Sequence, residues 1–135
     1  MKGYLLKKEN IVIGNERFIE SVASDAEFAV MFEDDGETGY FYAAEKDAGT
    51  GAVTVLDMLF IYDVEQVPKE KRAATLALVW STGWKQCALV LDDTCHAIFD
   101  FQNKAGYNLA GFPPPNIWEQ KSRNLTLEIV RRYFQ

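Results

Sequence analysis

Apolar and polar residues alternate with a period of two along most of this chain. "EFAVMFE", "TGYFYAAE", "AVTVLDMLFIYD", "AATLALVWS", "WKQCALVL" and "CHAIFDF" are short runs rich in Val, Ile, Phe, Tyr and Trp, parted by clusters of acids, Gly, Ser and Thr. Alternation puts successive side chains on opposite faces of a strand, so these runs predict a β meander. "ERFIESVA" is a weaker strand of the same kind, and "AGYNLAG" is a short edge strand ending at "FPPPN", where prolines supply no amide donors. The period changes only in "NLTLEIVRRYFQ". There Leu125, Ile129, Val130, Tyr133 and Phe134 make one helical stripe, Asn124 is placed to cap, and Arg131 and Arg132 suit the negative end of the dipole. The pattern predicts an α+β fold: a mainly antiparallel, twisted β-sheet of about six to eight strands with a C-terminal amphipathic helix packed on it. An all-β barrel or sandwich with one added helix is the near alternative.

Composition fits one domain over residues 1–135, with 48% hydrophobic and 25% charged residues, enough to build a core without staples. Lys7, Lys8 and Glu9 interrupt the place where a leader would carry its apolar run, and no window approaches the roughly 18 apolar residues of a membrane span. The expectation is a cytoplasmic protein that does not enter a membrane. Cys87 and Cys95 fall on two strands folded about Asp92 and Asp93. With a three-residue loop, Cys95 faces Leu91 and Cys87 faces Phe99, about 13 Å away at the usual strand rise. A disulfide needs Cα atoms within about 7 Å, so both are expected as reduced, buried thiols.

"FEDDGETGYFYA", Phe32 to Ala43, sets four acids around one glycine and then three aromatic rings in four residues. Asp and Gly at a strand reversal are ordinary turn chemistry. Four acids exceed what a turn needs, since neighbouring like charges repel. The spacing of Glu33, Asp35 and Glu37 lacks the glycine position and distal bidentate Glu of a calcium loop, so no metal or cofactor is expected there. From Glu16 to Glu65 there are 13 acids against Arg17 and Lys46, a balance of −11; the remaining 12 basic and 7 acidic groups give +5, for a net −6. Such a chain is a poor direct ligand for nucleic acid and suits a basic protein partner. The residues expected to meet it are Glu33, Asp34, Asp35, Glu37, Tyr40 and Tyr42, with the turn carboxylates taken as exposed.

Catalytic readings need a constellation. Cys95 and His96 are adjacent on a strand and point to opposite faces; His96 and Asp100 share a face with Ile98 between them, about 13 Å apart. Asp57 sits among Val55, Leu59 and other apolar residues, where a carboxylate requires donors, a bulge or a proton. No phosphate loop, nucleophile elbow or CxxC motif is present, and no catalytic residue is assigned. "GFPPPNIW" reads as a connector between sheet and helix rather than a ligand for a proline-binding groove.

"FAVMFEDDGETGYFYA", "LDMLFIYDV", "LVWS" and "HAIFDFQNKAGYNLAGFPPP" together resemble the ordered landmarks of a small bacterial family known only as a domain of unknown function, over Phe28 to Pro115. The resemblance implies a single-domain bacterial protein and carries over no site residues. Two functions follow from the residues: a non-enzymatic binding module of antidote or immunity type using the acidic face, or a small metal-assisted enzyme or ligand-binding protein gathering Asp57, His96 and Asp100 in one pocket.

Overall fold

A computed structural model describes residues 1–114 and 122–135. Nine strands are present among the described residues: β1 (Tyr4–Val12), β2 (Arg17–Val22), β3 (Phe28–Asp34), β4 (Thr38–Lys46), β5 (Val53–Asp63), β6 (Ala73–Trp80), β7 (Gln86–Leu91), β8 (Thr94–Asp100) and β9 (Ala105–Asn108). They form a five-stranded sheet, ordered β1-β6-β7-β8-β9, and a four-stranded sheet, ordered β2-β3-β4-β5. Every strand pair is antiparallel. Among the described residues one α-helix, α1 (Leu127–Phe134), completes the α+β architecture. No described helix is long and apolar enough to cross a membrane.

The alternating residues of both sheets meet in one core. Val30, Phe32, Phe41 and Leu59 from the smaller sheet pack with Leu76, Leu78, Trp80, Leu89 and Phe99 from the larger, all fully buried. The Phe41 and Phe99 rings lie 4.9 Å apart, and Trp80 Nε1 donates to Ser21 Oγ at 2.9 Å, giving the buried indole the partner that burial demands. α1 covers the opposite face of the larger sheet. Its stripe of Ile129, Val130, Tyr133 and Phe134 packs on Ala88 and Ile98, as its periodicity predicts, and Leu125 joins that cluster from the segment before the helix.

Three local expectations are corrected. Thr126, not Asn124, caps α1, accepting from Ile129 N at 3.2 Å. Asn124 instead forms a parallel bridge with Asn108, so the chain is still extended there and the helix starts later. The β7–β8 loop has two residues, Asp92 and Asp93, both at positive φ (47° and 67°), the geometry a tight hairpin requires. Cys95 therefore faces Val90, not Leu91, and the register shifts past His96 before restoring Cys87 opposite Phe99. That extra residue sends Cys95 toward α1 while Cys87 enters the main core, and both thiols are free. β1 escaped prediction because its first five residues are exposed on both faces, leaving no apolar alternation to read. The connector "GFPPPNIW" lies outside the described residues from Pro115 onward.

Candidate functional site

The acidic stretch does form the β3–β4 reversal. Asp34 ends β3, Thr38 opens β4, and Gly36 adopts φ 95°, which L side chains rarely tolerate. Its acids divide by role. Asp34 is only 2% exposed and accepts from Gly14 N (2.8 Å), Gly36 N (2.8 Å) and the Tyr62 hydroxyl (2.6 Å). The expectation that Asp34 presents its charge to a partner is thus corrected: its carboxylate is spent inside the fold. Tyr62 reaches it by lying flat across Gly39, where a Cβ would stand 2.6 Å from the ring. Burial, then the Asp34 contact, raises the Tyr62 phenol far above its usual value.

Asp35 is exposed and accepts from Glu37 N (2.9 Å) and Thr38 N (2.8 Å), donors that hold its carboxyl below the ordinary range. The turn is further tied to the end of β5, where Val64 N donates to the Glu37 carbonyl at 2.9 Å. Between these segments lies a cleft of about 380 Å³ lined by Gly36, Glu37, Thr38, Asp63, Val64 and Glu65. Three of its six lining residues are acids.

Beside the turn, the outward face of the four-stranded sheet is aromatic. Tyr40 and Tyr42 point away from the core because Phe41 and Ala43 point into it. The Tyr40 ring lies 6.2 Å from Tyr42 and 6.5 Å edge-on from Phe60, its cross-strand partner; Phe60 in turn meets Phe112 at 6.1 Å. Tyr42 donates its hydroxyl to Glu33 at 3.2 Å, and burial together with that neighbouring charge pushes its phenol up to about 12. Phe18, opposite Glu33 on β2, is 60% exposed. Glu33, Tyr40 and Tyr42 are therefore neighbours on one face, with Asp35 and Glu37 at its end.

The alternative trio is not assembled. Asp57 follows a bulge at Leu56, where Ala43 and Ala44 pair with Asp57 and Val55. Its carboxylate makes a bidentate pair with Arg123, both contacts at 2.7 Å, with side chains 5% and 1% exposed. Gly106 makes room, since a Cβ there would sit 2.8 Å from Asp57 Oδ2. Asp100, fully buried, accepts from Gln86 Nε2 (2.9 Å), Asn103 Nδ2 (2.7 Å) and the Tyr133 hydroxyl (2.6 Å), as well as the amides of Gln102 and Asn103. His96 is half-buried at its bulge, and burial lowers its pKa against the opposing pull of Asp92. Asp57 closes the β5–β9 seam and Asp100 anchors the helix, each within its own network. Among the described residues no group of His, Cys, Asp and Glu could hold a metal ion.

Sequence reasoning missed Phe60, Phe112 and Arg123. Cross-strand register alone places Phe60 beside Tyr40, and Arg123 lies 66 residues from Asp57.

An uncharacterised protein of Haemophilus influenzae is 34% identical over 121 residues, covering 89% of this chain and 74% of the relative. No solved structure matches. The model of the family DUF2251, uncharacterised proteins conserved in bacteria, matches residues 11–134, and the chain belongs to that family.

Proposed function

We propose that this protein is a non-enzymatic binding module, of antidote or immunity type, that docks a basic protein on the outward face of its four-stranded sheet. The observation that carries the reading is the juxtaposition of an aromatic surface, Tyr40, Tyr42 and Phe60, with Glu33, Asp35 and Glu37 on a turn held rigid from within. Aromatic side chains supply contact area at low entropic cost, and a rim of one sign steers an oppositely charged partner. Asp34 and Tyr62 do not touch the partner; they fix the turn that presents Asp35 and Glu37, so less ordering is left to be done on binding.

The test is charge reversal at the exposed acids alone. Asp35→Lys/Glu37→Lys should abolish capture of a basic protein from the native host, while a single reversal remote from the face, Glu128→Lys, should leave it intact. Equal capture by all three proteins would remove the acidic rim from the function.

A further inference from the structure

The partner surface proposed above has a more specific chemistry, which the protein itself illustrates at a second place. Lys85 Nζ lies 5.1 Å over the ring of Phe28 and 3.5 and 3.7 Å from the carboxylates of Asp25 and Glu27. An aromatic face with a flanking carboxylate is a natural seat for a cation, because the ring quadrupole and the anion attract it together. On the outward face of the four-stranded sheet the same two ingredients recur around Glu33, Tyr40, Tyr42 and Phe60. Among the described residues neither Glu33 nor Asp35 has an ion pair, while the nearby cations are taken: Lys46 pairs with Glu20, and Arg17 with Glu9.

We propose that this face seats an arginine side chain of the partner, stacked on the Tyr40–Phe60 aromatic corner and paired with Glu33. The inference rests on the basic-partner reading and deepens it. Tyr42 bonds Oε1 of Glu33, which orients the carboxylate within the aromatic strip and leaves Oε2 as an acceptor. Arginine fits this arrangement better than lysine. Its planar guanidinium stacks on an aromatic ring and donates in a fork to a carboxylate, whereas an ammonium is a strongly hydrated point charge. The rim acids Asp35 and Glu37 then act on encounter, and Glu33 with the rings acts on residence.

Hexa-arginine and hexa-lysine peptides of equal charge separate the two levels. In NMR titrations of the isotopically labelled full chain, hexa-arginine should shift the ring resonances of Tyr40 and Phe60 and bind at least fivefold more tightly than hexa-lysine. Glu33→Gln, whose amide spectrum should otherwise match the parent, should erase that preference, and Tyr40→Leu should do the same. Equal affinities, with shifts confined to residues 35–37, would overturn the arginine seat and leave the basic-partner reading standing. A preference undiminished in Glu33→Gln would overturn the role of that carboxylate. No response to either peptide would overturn both.

Discussion

Replacing Asp57 with alanine should be among the most damaging single changes in the chain. The Asp57–Arg123 pair is almost completely buried and bidentate, and the guanidinium also donates to the Gly106 carbonyl at 3.3 Å. Truncation leaves Arg123 charged, desolvated and facing one neutral acceptor, a situation that costs about 3–5 kcal/mol. It also removes the bond from Met58 N to Asp57 Oδ1, 2.9 Å, worth about 1 kcal/mol. The two costs overlap, so a total of about 4 kcal/mol is expected, against a typical domain stability of about 5–15 kcal/mol. Urea unfolding followed by fluorescence of the buried Trp80 measures it. With m near 2 kcal/mol per molar, the midpoint should fall by about 2 M. Replacing both partners, Asp57→Leu with Arg123→Met, should recover most of the loss, because an apolar pair of similar volume carries no desolvation cost. A loss below about 1 kcal/mol for Asp57→Ala, or a double variant no better than the single, would refute the reasoning.

Five further outcomes are expected. Asp34→Ala should lower stability by about 2–4 kcal/mol by stranding the Tyr62 hydroxyl and two amides, whereas Asp35→Ala should leave the urea midpoint where it is. Gly39→Ala should be strongly destabilising, since its Cβ would enter the Tyr62 ring; a stability equal to the parent would show that the ring moves freely. The imidazole of His96, followed by NMR, should titrate below 6.5, so its contribution to stability is full above that pH and is lost as pH falls through the folded-state value. The Tyr62 and Tyr133 phenols, both raised, contribute stability that is full below pH 10.0 and lost as pH rises toward about 12 and beyond, a loss that Tyr62→Phe should reduce. Burial pushes Cys95 up to about 11 and Cys87 upward as well, so a thiol reagent should react slowly with the native chain and count two thiols after unfolding without reductant.

The sequence carried the elements whose side chains answer to one buried face. Six strands and the α1 stripe were legible because alternation and helical periodicity record that burial directly, and the weaker runs "ERFIESVA" and "AGYNLAG" are β2 and β9. β1 was not, since half of it buries neither face, and the bulges at Leu56 and His96 were not, since an extra residue leaves no compositional mark. The need of Asp57 for a bulge and donors was readable; its partner Arg123 was not, because the pairing depends on how β5 meets the segment after β9. In the acidic turn the sequence located the reversal but could not separate Asp34 from Asp35. Only the approach of Gly14 and Tyr62 turns one of them inward.

The central claim is a basic partner steered onto the acidic, aromatic face, and the association rate tests it most directly. With the captured partner in hand, stopped-flow association should slow steeply with salt, as expected for encounter guided across a Debye length of about 10 Å at 0.1 M. Asp35→Lys/Glu37→Lys should lower the rate at least tenfold at low salt and flatten that dependence, with the dissociation rate little changed. A rate indifferent to both salt and charge reversal would contradict the account.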